Sequence, residues 1–169
     1  MRKELVKTEG YFWGLTKNDF KVTADLVKVF MKAYWNEIKL PKESKIVTPE
    51  IDLCIAQHYR ETQMLLQFGI WRLQSIFESL LTTNFDIQVR GISEKLNDLK
   101  SKGFKVIKKT ELLKWIKLRN KLSHSAPEML HPCPTNLIES DIDDFSKLLL
   151  EIYEDLEMKK ANDGQTRLR

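Results

Sequence analysis

The side chains best suited to chemistry in this 169-residue chain lie within one short run, Arg119, Asn120, Lys121, Leu122, Ser123 and His124. A histidine has an unperturbed pKa near ~6.5, so it can accept or donate a proton at neutral pH. An arginine presents a planar fork of N–H donors that matches a phosphate or a carboxylate. Asparagine and serine add short-range donors and acceptors. Lys117 and Lys121 flank the run and bring further positive charge.

Placing the run on a helical wheel shows how these groups must be held. A helix advances by about 100° per residue. With Leu112 at zero, Trp115, Ile116, Leu118 and Leu122 fall within about 120° of it and form an apolar arc. Lys114, Lys117 and Lys121 gather on the opposite, solvent-facing side. Arg119 does not join the lysines; it falls about 20° from Leu112, in the middle of the apolar arc, with Ser123 beside it. Asn120 and His124 are four residues apart and stack one turn above the other at the edge of the arc. An inward arginine needs partners for its donors. Three arrangements supply them: an internal network in which Arg119 meets a bundle carboxylate such as Glu61 or Glu78, a polar subunit interface, or an active site in a cleft.

Helices must position this island, because helix signals dominate the chain. Thr16 and Asp19 resemble a capping box, followed by a periodic apolar set of Val22, Leu26, Val29, Phe30, Ala33, Tyr34 and Ile38 that Pro41 closes. Thr48, Pro49 and Glu50 form a strong helix start. A helix from there to about Leu81, with Gly69 as its weak point, carries the apolar stripe Tyr59, Leu66, Ile70, Leu73, Phe77 and Leu80. Its length of about 45 to 50 Å makes it the spine of a bundle. A polar break follows at Thr82, Thr83 and Asn84. A short helix then covers about Ser93 to Lys102, ended by Gly103 as a C-terminal cap, and Phe104 to Lys108 is a connector. Thr110 and Glu111 open the motif helix, which runs to about His124. Pro127, Pro132 and Pro134 impose an ordered, constrained loop. The last helix opens at Ser140 with acids in its first turn and carries Lys159 and Lys160 near its end, as the helix dipole favours. The expected fold is all-α: about five helices in a mostly antiparallel bundle with one long spine helix. It forms a single domain over residues 1–161, with an N-terminal helix and lead-in at 1–47 and a flexible tail at 162–169.

Composition narrows the function classes. At 42% hydrophobic the chain can bury a core, and no apolar run approaches the roughly 20 residues needed to span a bilayer. The opening Met1, Arg2, Lys3 and Glu4 lacks the pattern of a signal peptide, so a cytoplasmic protein is expected, without a membrane role. Two cysteines do not make a disulfide framework; Cys54 reads as a small buried hydrophobe. His131 and Cys133 lack companion ligands, so neither a metal site nor a cofactor is expected. The net charge of +4 suits a polyanionic partner. Lys95, Lys100, Lys102, Lys105, Lys108, Lys109, Lys114, Lys117, Arg119 and Lys121 crowd one stretch, although a single lysine ordinarily just solvates an exposed face. No helix-turn-helix spacing favours a DNA-binding reading.

The run Leu118 to Ser125, "LRNKLSHS", resembles the Arg-x4–6-His signature of the HEPN superfamily, with Asn120 matching the polar residue that often follows the arginine. The resemblance extends to helix order from about Thr48 onward, and only the motif itself is specific. It implies a metal-independent endoribonuclease of the toxin or antiviral-defence kind, acting on single-stranded RNA through the 2′-hydroxyl. His124 would then be the proton-transfer group, Arg119 would hold the scissile phosphate, and Asn120 would orient His124 or donate to the phosphate. Ser123, Lys117 and Lys121 would assist in holding substrate. The resemblance also implies a homodimer with the two motifs facing each other across a cleft, which supplies a second histidine for the acid and base roles. An antitoxin or a nucleotidyltransferase is the further partner such proteins have. Some relatives carry a tyrosine two residues after the histidine as a target for adenylylation; Ala126 stands there instead. The alternative is a non-catalytic HEPN-like module that dimerises or binds a partner. The aromatic opening Tyr11, Phe12 and Trp13 has no role in that family and reads as a packing segment.

Overall fold

A computed structural model describes residues 15–37, 49–124 and 136–166; the side chains of residues 37, 50, 51, 122–124 and 163–166 lie outside that description. Five helices make up the fold: α1 (Asn18–Glu37), α2 (Pro49–Phe85), α3 (Ile92–Ser101), α4 (Lys109–His124) and α5 (Glu139–Thr166). No strand occurs among the described residues. The chain is thus an all-α helical bundle, and α2, at about 55 Å, is its spine. α2 packs against each of the other four helices, and α1 and α5 also pack against each other.

α1 begins where the capping residues place it. The Asp19 carboxylate accepts the Thr16 backbone N–H at 2.6 Å and the Thr16 hydroxyl at 2.9 Å. The face that α1 buries is not the expected one. Phe20, Thr23, Ala24, Val27 and Met31 point into the core, whereas Val22, Leu26, Val29 and Phe30 are exposed. Both sets have helical spacing. The tertiary partner decides between them: Val27 packs against Gly69 of α2, and Lys28 beside it reaches Asp143 of α5 at 2.8 Å.

α2 outruns its expected end near Leu81 and continues through the supposed break to Phe85. The Thr82 and Thr83 hydroxyls donate back to the carbonyls of Glu78 and Ser79, at 2.9 and 3.0 Å, which satisfies these polar side chains without leaving the helix. The expected stripe is buried from Leu66 to Leu80, while Tyr59 stays exposed and donates its hydroxyl to Asn136. Cys54 is also exposed, contrary to its apolar reading, because this part of α2 extends beyond the shelter of the core.

The end of α3 follows its sequence. Gly103 takes φ +88, a left-handed conformation that suits glycine. The Gly103 N–H donates to the Lys100 carbonyl and the Phe104 N–H to the Leu99 carbonyl, which is a Schellman ending. Residues 104–106 then connect without regular structure, as expected. α5 starts at Glu139 and continues to Thr166, past the expected end near Lys160. Its lead-in is clamped to the spine by a buried amide pair. Gln63 Nε2 donates to the Leu137 carbonyl at 2.8 Å, and the Leu137 N–H donates to Gln63 Oε1 at 2.9 Å. The expected proline loop, Cys133, His131 and the aromatic opening lie outside the described residues.

Gly69 is less a weak point of α2 than the place where three helices meet. A Cβ there would sit 3.0 Å from both Val27 of α1 and Ile142 of α5. Gly69→Val adds further branches into that closed space and should destabilise the fold by at least about 1–3 kcal/mol. Urea denaturation would register this as a lower midpoint; an unchanged midpoint would contradict the crossing described here.

Candidate functional site

α4 presents its faces as the wheel requires. Leu112 and Ile116 are buried, Trp115 stacks on Phe145 of α5 at 4.8 Å between centroids, and Lys114, Lys117 and Lys121 are exposed. Arg119 lies inward with them and is only partly accessible. Its guanidinium carbon sits 5.7 Å from the centre of the Trp71 ring on α2. Its Nη1 donates to Asn120 Oδ1 at 3.2 Å, so Asn120 steadies the arginine. The backbone of Ser123 and His124 completes the last turn of α4; their side chains are outside the described residues.

Arg119 and Asn120 open onto a cleft of about 370 Å³. One wall is α2, through Gln74 and Glu78; the opposite wall is Arg90 with the first turn of α3, Gly91 to Glu94. A second depression, between Ser93 and the Leu113, Lys117 and Lys121 side of α4, adjoins the first at Asn120. The first amides of a helix have no intrahelical acceptors, and they carry the positive end of its dipole. The cleft therefore combines two guanidinium groups and a helix N-terminus with the carboxylates of Glu78 and Glu94. Glu78 Oε1 accepts the Gln74 amide at 2.6 Å, so the anticipated neighbour of Arg119 is on hand, tied to Gln74. Glu61, the other anticipated carboxylate, lies further along α2 and accepts from Gln57. Gln74 is 5% exposed, and its Oε1 has no hydrogen-bond partner among the described residues. Trp71, Gln74 and Arg90 escape a search for motifs. The one trace they leave is a polar i, i+4 pair, Gln74 and Glu78, set into the apolar stripe of α2.

The crowded basic stretch divides into two populations. Lys95 is only 6% exposed and donates to the Thr82 hydroxyl and the Ile87 carbonyl. Lys102 caps the carbonyls of Phe85 and Asp86, and Lys160 reaches that of Asn84. Lys102 and Lys160 close the C-terminus of α2, where carbonyls lack intrahelical donors, and Lys95 ties its last turn to the segment that follows through Thr82 and Ile87. Lys159 bonds the Lys105 carbonyl and pairs with Asp155 of α5, so Lys159 and Lys160 tie α5 to the segments beside it and not to its own last carbonyls. Lys108 pairs with Glu151, whose hydrogen bond raises the ammonium pKa above its ordinary value. Lys100, Lys105, Lys114, Lys117 and Lys121 remain on the surface.

No three His, Cys, Asp or Glu side chains converge as metal ligands among the described residues. No described helix is long and apolar enough to cross a membrane. Comparison with protein-family models, with curated proteins and with solved structures finds no match to this chain.

Lys95 holds α3 against the end of α2, and α3 forms one wall of the cleft. Lys95→Ala leaves the Ile87 carbonyl without its donor in a buried setting, at a cost of about 1–3 kcal/mol. The expected result is a lower Tm with faster amide exchange at the start of α3; unaltered exchange there would remove Lys95 as the anchor.

Proposed function

We propose that this protein is a metal-independent endoribonuclease of the HEPN kind, working as a toxin or defence nuclease on single-stranded RNA. The observation that carries the reading is the position of Arg119: on the inward arc of α4, yet at the wall of a cleft with Arg90 and the N-terminal turn of α3. A purely structural arginine has no need to face a groove that also holds Arg90 and the first amides of α3 beside the carboxylates of Glu78 and Glu94. A phosphate diester entering the cleft would meet the planar fork of Arg119, held in place by Asn120 and Trp71.

The reaction is the one that the HEPN resemblance implies. The ribose 2′-hydroxyl attacks the adjacent phosphorus as His124 removes its proton, and the bond to the 5′-oxygen breaks to leave a 2′,3′-cyclic phosphate. A second proton donor is needed for the departing 5′-oxygen. The His124 of a second copy supplies it when the two motifs face each other in a homodimer. Arg119 offsets charge that develops on the phosphate oxygens. Ser123 lies next to the motif, and Lys117 and Lys121 border the adjoining depression, where they hold the strand through its backbone.

A second reading, a non-catalytic module that binds a partner protein, is favoured by the exposed Val22, Leu26, Val29 and Phe30 face of α1. Cleavage separates the two. Purified protein should cut a single-stranded RNA but not its DNA counterpart in excess EDTA, and the product should end in a cyclic phosphate. His124→Ala and Arg119→Ala should each lower the rate by at least about 100-fold with unchanged circular dichroism. Equal rates in wild type and His124→Ala would end the ribonuclease reading.

A further inference from the structure

Gln74 is the feature of the cleft that the phosphate chemistry leaves unused. A buried amide oxygen without a donor is costly, and a partner that brings one to this wall of the cleft would remove that cost. The partner must supply an N–H or O–H. It meets a second acceptor at once, because Glu78 is bonded to the same amide and its carboxylate has lone pairs beyond the one that Gln74 Nε2 occupies. The α2 wall is therefore an acceptor edge, next to an arginine suited to phosphate.

Trp71 stands one turn before Gln74 on α2. Trp71 is 40% exposed, and the Arg119 guanidinium lies over part of its ring, so Arg119 links the ring to the cleft. An exposed aromatic face beside a cationic groove is the usual device for stacking bases of a single strand. Phe68, a turn further on, is 61% exposed and continues that apolar surface.

We propose that Trp71, Gln74 and Glu78 form a nucleobase subsite selective for guanine, in which the base stacks on the part of Trp71 that Arg119 leaves exposed and its Watson–Crick edge donates to Gln74 Oε1 and Glu78. Guanine alone among the four RNA bases places two donor groups, N1–H and N2–H2, side by side on that edge. Adenine and cytosine set a ring acceptor beside their single amino group, which would face these acceptors unfavourably. Uracil offers one N–H between two carbonyls. The subsite rests on the ribonuclease reading for its polymer, and it adds the base preference that the phosphate site lacks.

The test measures anisotropy of fluorescein-labelled nonamers with 2′-fluoro sugars, which remove the attacking hydroxyl. One is all uridine; the others carry a single central guanosine, inosine or adenosine. Wild type should bind the guanosine oligomer about ten-fold or more tighter than the uridine one, with inosine in between. Trp71→Ala should lower affinity for the guanosine oligomer by a similar factor, and Trp71→Phe should recover most of it. Glu78→Gln should erase the preference for guanosine while the salt dependence of binding stays as in wild type. Equal affinity for guanosine and uridine oligomers, or a preference that survives Glu78→Gln, overturns the subsite. So does a loss of self-association in Trp71→Ala without any loss of affinity, which would assign the ring to a protein contact. Cutting of unmodified RNA with no base preference overturns the subsite alone, whereas wild type that neither binds nor cuts RNA overturns the ribonuclease reading with it.

Discussion

Close approach of helices at Gly69 is the constraint from which the remaining geometry follows. With no side chain at that position, Val27 and Ile142 come against the α2 backbone from two sides, and α1, α2 and α5 share one contact point. Once three helices are locked there, the buried row from Leu66 to Leu80 has its direction fixed, and the C-terminal half of α2 has one face left for α3 and α4. The cleft lies on that face. Its walls are backbone-supported elements, so the groups it gathers owe their positions to packing and not to one another.

Much of this was legible in the sequence, and the misses share a physical cause. The motif helix could be read because its two faces differ sharply: lysines on one side and Leu112, Trp115 and Ile116 on the other. α1 could not, since Phe20, Ala24, Val27 and Met31 make as good a stripe as Val22, Leu26, Val29 and Phe30. Periodicity announces a helix, but where both faces are apolar, only the tertiary partner selects which one is buried. Thr82 and Thr83 misled for a related reason. A hydroxyl that could break a helix can also bond its own preceding turn, and the buried Leu80, Leu81 and Phe85 favour the latter.

The candidate site shows the same division. Arg119 and Asn120 belong to a local pattern, so spacing along one helix reveals them. Trp71, Gln74 and Arg90 come from α2 and the turn before α3, and no local rule joins them to α4. The buried Lys95 is an instructive case, since a lysine in a basic stretch reads as surface charge until its acceptors are seen. Those acceptors are a hydroxyl and a backbone carbonyl, groups that no charge count registers.

The lysines at the end of α2 have an effect that reaches beyond the hydrogen bonds they make. Carbonyl oxygens are dipoles, so among the described residues Lys95 and Lys160 are held in place without an ion pair, unlike Lys108 with Glu151 or Lys28 with Asp143. Their positive field survives at distances where an ion pair would have cancelled itself. Within a Debye length of about 8 Å at physiological ionic strength that field attracts a polyanion, and added salt weakens it. The short contacts that secure the helix end are much less sensitive to salt. A polyanion drawn in by that field would therefore respond to ionic strength differently from the bundle itself, which the short contacts hold.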